Sequence, residues 1–477
     1  MIGVSIGTRF LARGAVWATR VFYDLGRQGP PLPAGPVLVV ANHPNSIVDA
    51  LVILCVAGRR VRPLARAPLF TRAIIGQVLR DLGALPVYRP QDDPALVGRN
   101  ETTFDAAVTA LRQGDAVLVF PEGVSHSQPE LAPLKTGAAR IALRAEEAHG
   151  WTLGLAIVPV GLTYRRKTFF RGEAAAFVGE PMTAAPYRAA YESEPAACVR
   201  DLTAAMAVAL EGVLPRLASA EDEALLDAAE ALYRAERESD GGSEIPKLAA
   251  RLPRLQLFAA GMQWLRAHDA PRFERLAAAV RSYRYRLARL GLGASELPLR
   301  GTARETLRAL GADALLTVFG LPLAALGVAA WYVPYLAPRL VLKWRPPVYE
   351  ARATVKLTTS LIVFPLAYVA WLVLAWRWAG WAALLPTALL LPVAGLVTLH
   401  WREHWADLRE ELEFWLRALG RRGLTSQLRT RRRALANAID RVADDWEEER
   451  QRRASFSTRE GPAGGRAGGA SSGPVHT

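Results

Sequence analysis

Val37-Leu38-Val39-Val40-Ala41-Asn42-His43-Pro44-Asn45-Ser46-Ile47-Val48-Asp49 is the stretch where this chain changes from one kind of element to another. The apolar run 37–41 predicts a buried strand that stops at Asn42. Beyond it, Ile47, Val48, Leu51, Val52, Ile53 and Leu54 predict a buried helix with Asn45 as its N-cap. A strand that feeds a helix through a short polar turn predicts an α/β domain. His43 lies in that turn, where catalytic groups of such folds gather. His43 and Asp49 are six positions apart, which on one helix would set them roughly 240° apart at 100° per residue. They meet only if the chain folds back through Pro44 and Asn45. Read alone, the stretch is a structural turn with a capping asparagine sooner than a catalytic pair.

Three further stretches follow: Gly83-Ala84-Leu85-Pro86-Val87-Tyr88-Arg89, then Phe120-Pro121-Glu122-Gly123, then Val158-Pro159-Val160-Gly161. The last two follow or end the strand-like runs 116–120 and 155–160. Taken in order with the His43 to Asp49 spacing, they resemble the four blocks of the glycerolipid acyltransferases, the family that acylates glycerol phosphate and lysophosphatidate. Four blocks in order over about 120 residues carry far more weight than any one of them. The resemblance covers residues 30–190, including Phe177-Val178-Gly179-Glu180-Pro181. It implies a mixed sheet flanked by helices, an α/β catalytic domain.

The residue types suit the chemistry that the resemblance implies. Moving an acyl group from a thioester to an alcohol needs a base for the hydroxyl proton, and a neutral imidazole serves near pH 7. His43 takes that role, and Asp49 holds the imidazole tautomer as the carboxylate of a Ser-His-Asp triad does. The nucleophile is the substrate's own hydroxyl, so no enzyme serine or cysteine is needed. Arg89 offers a planar fork suited to phosphate. The resemblance assigns Arg89, Glu122 and Gly123 to acceptor binding, and the Gly123 amide is a candidate oxyanion donor. Lys135, before the helical run 138–147, is a further candidate phosphate contact. Each has a plainer reading: Arg89 and Lys135 as solvated surface cations, Glu122 as the close of a strand. His126 receives no role.

The chain departs from the commonest pattern in two places. Five residues, not four, separate His43 from Asp49, which is similar to a variant in some glycerol-3-phosphate and dihydroxyacetone-phosphate acyltransferases. The second block ends Pro86-Val87-Tyr88-Arg89, where many lysophosphatidate acyltransferases carry phenylalanine near Pro86. Both departures lean towards a glycerol 3-phosphate acceptor.

The 477 residues carry a formal net charge of +14. Nucleic acid and an anionic membrane are the two partners that explain such a balance. No zinc-finger, RRM or helix-turn-helix signature is present, so nucleic acid is set aside. Cys55 and Cys198, both in apolar contexts, imply neither a disulfide framework nor a zinc site. Three uncharged runs favour membrane: 314–338, 357–376 and 378–399. About 20 apolar residues rise about 30 Å as a helix, enough to cross the hydrocarbon core. The last two runs predict a tight hairpin with Trp371, Trp376, Trp378 and Trp381 crowding its tip. The loop with Arg339, Lys343, Arg345, Arg352 and Lys356 is basic, as is the tail, so both are expected in the cytoplasm with the catalytic domain. That arrangement needs 314–338, interrupted by Gly320, Pro322, Gly327 and Pro334, to be re-entrant or interfacial.

The expected organisation is an amphipathic N-terminal helix (1–28), a catalytic domain (29–195), a helical domain (196–310), membrane segments (311–400), a basic charged helix (401–453) and a disordered tail (454–477). His400-Trp401-Arg402-Glu403-His404 matches a metalloprotease pattern but adjoins a membrane segment with no third ligand, so no metal is expected. The expected function is a membrane-bound O-acyltransferase. Its donor is acyl-CoA or acyl-ACP as co-substrate, its acceptor is glycerol 3-phosphate or a lysophospholipid, and anionic lipid is its surroundings, with no organic cofactor. The alternatives are a non-catalytic lipid-binding scaffold and an acyltransferase for an acceptor without phosphate.

Overall fold

The predicted strand at 37–41 forms as β2 (Val37–Ala41), and every one of its residues is buried. Burial on both faces explains its unbroken apolar run. Val37, Val39 and Ala41 pack into one cluster, and Leu38 and Val40 into the opposite one. The computed structural model describes residues 6–89, 91–215, 217–237, 247–289, 303–418 and 424–459.

The other strands are β1 (Tyr23–Gln28), β3 (Val61–Arg66), β4 (Leu85–Val87), β5 (Ala116–Val119), β6 (Ala156–Arg165), β7 (Gly172–Val178) and β8 (Met182–Thr183). Their order is β1-β7-β6-β2-β5-β3-β4, with β8 on β6. β2 pairs in parallel with β5 and β6, while β6 pairs antiparallel with β7 and β8, so the sheet is mixed as expected. β2 and β6 are central neighbours, and the turns leaving their C-terminal ends open on the same edge of the sheet. Ligands of open α/β sheets collect at such an edge.

Helices cover both faces. On one lie α1 (Ile6–Phe22), α2 (Ile47–Val56) and α3 (Ala73–Asp81). On the other lie α4 (Asn100–Arg112) and α5 (Gly137–Glu147), joined after the short α6 (Arg188–Ser193) by α7 (Pro195–Gly212). Cys198, Leu202, Met206 and Leu210 of α7 are buried among sheet residues. The layer packed on the sheet therefore runs past the boundary expected at residue 195. The N-terminal unit also differs from expectation: helix gives way to strand at Tyr23, because residues 23–28 pair with β7. α1 itself is sandwiched, with Ala15 and Phe22 buried and Trp17 64% exposed.

The fourth sequence block owes its glycine to packing. A Cβ on Gly161 would lie 2.5 Å from the Val213 carbonyl oxygen and 3.0 Å from Leu214 Cδ2. Backbone at the end of α7 cannot yield as a flexible side chain would. Gly161→Ala is expected to cost about 1–3 kcal/mol, read as a lowered thermal unfolding midpoint. An unchanged midpoint would contradict this close approach.

Beyond α7, helices α8 (Ala220–Arg237), α9 (Leu248–His268) and α10 (Ala270–Arg289) form the expected helical region. α9 seats it on the sheet edge, where Ala249 and Leu252 cluster with Ala175 of β7. The three apolar runs form α11 (Ala303–Trp344), α12 (Arg352–Ala379) and α13 (Trp381–Ala418). Within them Gly320–Trp344, Tyr349–Ala379 and Trp381–Arg402 are long and apolar enough to cross a membrane. α12 and α13 turn at Gly380, φ +57°, and expose Trp376, Trp378 and Trp381. Residues 314–338, expected to be interrupted, instead lie within one continuous helix, α11, that runs through Pro322, Pro334 and Pro338. Helices packed on apolar neighbours re-satisfy the groups that proline frees.

The last helix also differs. α14 (Leu424–Arg459) is not a free basic helix, since Leu428 and Ala436 are buried with Leu232, Tyr283 and Leu287, and Val442 with Phe273 and Val280. Arg432 is 3% exposed and pairs with Glu236 at 2.8 Å. Helix thus continues to Arg459, beyond the boundary expected at 454. Residues 240–243, 291–294, 421–422 and 460–477 lie outside the described residues, as do the side chains of Glu403 and His404.

Candidate active site

Asn42 closes β2 by imitating a strand residue. Its side-chain amide donates to the Leu162 carbonyl at 3.0 Å, and its Oδ1 accepts the Leu162 N–H at 2.6 Å. The chain then leaves the sheet and reverses at Ser46, whose φ is +54°. This reversal brings together two groups that a single helix would separate: His43 Nδ1 lies 2.9 Å from Asp49 Oδ2.

Asp49 is fully buried in the first turn of α2, where the helix N-terminus favours a negative charge. Its Oδ2 also accepts the Asn45 N–H at 2.6 Å, and its Oδ1 accepts the Tyr164 hydroxyl at 2.6 Å. A carboxylate is acceptor-only, so the proton of the His43 pair sits on Nδ1 and the lone pair on Nε2. The imidazole stacks on Phe120, ring centroids 4.0 Å apart, with its side chain 20% exposed. Among the described residues no hydrogen bond engages Nε2, so the basic nitrogen faces the open side.

Asn45 is not the N-cap expected of it. Ser46 occupies that position without a side-chain cap bond, and Asp49, in the first turn, reaches back to accept the Asn45 N–H. The buried Asn45 amide donates to the Tyr23 hydroxyl at 2.9 Å, and that hydroxyl donates to the Lys167 carbonyl. Burial pushes the Tyr164 phenol well above its ordinary range, reinforced by the Asp49 charge. Tyr164 therefore remains a donor to Asp49 at any working pH. Burial raises Tyr23 in the same way.

The third block takes a different part from the one its residue types suggest. Glu122 is 3% exposed, and both of its oxygens are engaged. Oε1 accepts the His43 backbone N–H at 2.8 Å, and Oε2 accepts the Ala132 N–H at 2.9 Å and bonds His126 Nε2. It clamps the His43 turn to the loop after β5. The Gly123 amide donates to the Phe120 carbonyl at 3.1 Å, so the expected oxyanion donor is spent within its own turn. Gly123 adopts φ +70°, and a Cβ there would lie 2.8 Å from Lys135 Nζ.

Arg89 donates to the Gly123 carbonyl at 2.6 Å and grips Asp92 with its fork at 2.9 and 3.2 Å. Arg66 grips the same carboxylate. Hydrogen bonds from Arg89 and Arg66 hold Asp92 well below the usual carboxylate range. Lys135, exposed beside Gly123, has no ion-pair partner among the described residues. Two guanidiniums against one carboxylate, with this ammonium beside them, leave a net positive rim next to the His43 turn.

The structure thus bonds His43, Asp49 and Glu122 into one group and sets Gly123, Arg89 and Lys135 against it. Sequence reasoning missed Tyr23, Phe120, His126, Tyr164 and Lys167. Tyr164 had a signal, since it shares a strand face with Val160 and Leu162 just after the fourth block. Tyr23 had none. Among the described residues no group of three or more His, Cys, Asp or Glu is placed to hold a metal ion.

Residues 27–163 match the family model described as Acyltransferase. Glycerol-3-phosphate O-acyltransferase 2 of Saccharomyces cerevisiae is 30% identical over 211 residues, 44% of this chain and 27% of the yeast protein. The human 1-acyl-sn-glycerol-3-phosphate acyltransferase alpha is 31% identical over 114 residues, 24% of this chain and 38% of that protein. The matched parts are therefore well under half of the relatives' lengths. A solved structure, the 1-acyl-sn-glycerophosphate (LPA) acyltransferase PlsC from Thermotoga maritima, is 19% identical, covering 43% of this chain and 79% of its own at a TM-score of 0.31. The matched residues 27–163 hold His43, Asp49, Arg89, Glu122, Gly123 and Lys135, so every one of these lies in a segment that matches the acyltransferase family.

Proposed function

We propose that this protein is a membrane-bound glycerolipid O-acyltransferase. It moves a fatty acyl group from acyl-CoA or acyl-ACP to a hydroxyl of glycerol 3-phosphate or a lysophospholipid. One observation carries the reading: a buried carboxylate with three donors fixes the His43 imidazole by Nδ1 and leaves Nε2 open to solvent. The names of the relatives, a glycerol-3-phosphate and a 1-acylglycerol-3-phosphate acyltransferase, support the acceptor class.

Nε2 takes the proton of the acceptor hydroxyl as its oxygen attacks the thioester carbonyl. Asp49 stabilises the imidazolium that forms. The tetrahedral intermediate collapses, the C–S bond breaks, and the imidazolium returns its proton to the leaving thiolate. Atoms balance as one ester and one thiol. The acceptor phosphate is held at the positive rim of Arg89, Arg66 and Lys135, which carries one more positive charge than Arg89 and Arg66 leave after Asp92. Glu122 acts by positioning His43 rather than by touching the acceptor.

The root of α12 supports a membrane setting. Ala353 and Leu357 are buried in the same cluster as Val48 and Val52 of α2, so the site stands at the base of the apolar hairpin. α14 packs on α8 and α10, which keeps the basic tail on the catalytic side, in keeping with a cytoplasmic face for both.

Purified full-length protein in lipid vesicles, given labelled palmitoyl-CoA and a panel of acceptors, tests the reading. Products are expected with glycerol 3-phosphate or lysophosphatidate, and no product with any acceptor would refute it. Arg89→Ala is expected to raise the KM for a phosphate-bearing acceptor by about 10-fold or more, with less change for a neutral alcohol. Equal effects on both acceptors would remove phosphate from the role of Arg89.

A further inference from the structure

Lys167 lies outside all four sequence blocks, in the turn after β6. Two non-glycine residues with positive φ bracket this turn, Arg166 at +52° and Arg171 at +58°. Such backbone persists only where its surroundings over-determine it. Here they do. The Lys167 carbonyl accepts the Tyr23 hydroxyl, the Thr168 carbonyl accepts Lys356 Nζ from α12, and the Arg171 N–H donates to the Phe22 carbonyl at 2.7 Å.

The side chain held by this turn reaches the catalytic turn. Lys167 Nζ donates to the Pro44 carbonyl at 2.9 Å and to Ser127 Oγ at 2.8 Å. Ser127 in turn donates to Glu350, in the short segment between α11 and α12. The ammonium also stands 4.8 Å from the centroid of the Tyr349 ring. One half-buried cation therefore joins three separate segments at the residue next to His43. Ser46, two residues on, is itself bonded to this loop, its N–H donating to Ser125 Oγ at 3.2 Å.

We infer that Lys167 is a positioning residue for His43: its ammonium fixes the Pro44 carbonyl and, through Ser127 and Glu350, ties the catalytic turn to the base of the membrane hairpin. This rests on the acyl-transfer reading of the same site. Glu122 holds the His43 N–H from one side, and Lys167 holds the following carbonyl from the other. The His43 carbonyl also accepts the His126 N–H at 3.3 Å, so loss of Lys167 frees the turn on its Pro44 side and lets the imidazole shift between Asp49 and Phe120. Docking of the hairpin thereby becomes part of assembling the base, and the site is complete only when α12 is seated.

The test compares the full-length wild-type protein with Lys167→Met and Lys167→Arg in lipid vesicles. It follows kcat, acceptor KM and the rate at which diethyl pyrocarbonate modifies His43, located by mass spectrometry. Lys167→Met is expected to lower kcat by about 30-fold or more while leaving acceptor KM within about 3-fold, since small misplacements of a base cost rate rather than binding. Modification of His43 is expected to quicken several-fold as the ring loosens, and Lys167→Arg, which also reaches a carbonyl and a hydroxyl, to restore most of kcat and the slow modification. Ser127→Ala, which cuts the tie to Glu350 without removing the charge, is expected to give a smaller loss in kcat alone and stands in should Lys167→Met not fold. An unchanged His43 modification rate, a loss confined to KM, or failure of the arginine to rescue would overturn the inference. Absence of acyl transfer by the wild-type protein would instead overturn the functional reading, since the modification rate is measured without turnover.

Discussion

His43→Ala is expected to lower kcat for acyl transfer by about 10³-fold, with the protein still folded and inserted. The expectation rests on where the imidazole sits rather than on its presence in a motif. Nδ1 is committed to a buried carboxylate, and Nε2 has no hydrogen-bond partner among the described residues. No other group takes over. His126 is bonded through Nε2 to Glu122, and its Nδ1 is buried without a partner among the described residues, so neither nitrogen is open to the acceptor. The His43 side chain stacks on Phe120 and bonds Asp49 at the edge of the sheet, so truncation should leave the sheet intact. Initial rates with labelled donor and thermal unfolding, taken on one preparation, check both halves. Substantial residual turnover would remove His43 as the base.

Asp49→Asn should be nearly as damaging, at about 10³- to 10⁴-fold in kcat. Three donors converge on this carboxylate, from His43, Asn45 and Tyr164. An amide has one acceptor oxygen for them and brings two donors of its own. Its NH2 turned to His43 would force the imidazole to accept at Nδ1 and carry its proton on Nε2, the wrong nitrogen for a base. Turned the other way, it meets the Tyr164 hydroxyl, which burial keeps protonated. Asp49→Ala would instead leave buried donors without an acceptor and cost stability, about 1–3 kcal/mol for each donor left unpaired. A double-mutant comparison with Tyr164→Phe separates the roles. Loss of that hydroxyl should cost about 10-fold or less in rate, because His43 and Asn45 still hold the carboxylate. A Tyr164→Phe loss as large as that of Asp49→Asn would make the tyrosine part of the chemistry.

The strand and helix around the site were legible because burial on both faces leaves an unmistakable mark, an apolar run without alternation at 37–41. The pairing of His43 with Asp49 was not legible from periodicity. It depends on a reversal at Ser46 with positive φ, where neither glycine nor asparagine stands. Glu122 was legible as a special residue but not as a clamp, since its partner is the main chain of His43, 79 residues away. Arg89 was read as a free fork, and only the fold shows Asp92 already between Arg89 and Arg66.

Further out, local pattern misled for identifiable reasons. Tyr23–Gln28 carries charges and a glycine and is a strand because β7 offers it an edge. Gly26 fits there because Ala249 of α9 presses against it, 2.4 Å from where a Cβ would be. α14 reads as a solvated basic helix because its buried stripe is thin, with Leu428, Ala436 and Val442 among many charges. Its charge is partly internal, spent on Glu236 by Arg432 and Arg433. The prolines of α11 predict a break that packing against α12 and α13 overrides.

The most direct test is the transfer of labelled palmitate from palmitoyl-CoA to glycerol 3-phosphate or lysophosphatidate by wild-type protein and His43→Ala, side by side in the same vesicles. A labelled ester that forms with wild type and falls by about three orders of magnitude in the variant is the predicted result. An ester that forms equally with both proteins would contradict the account.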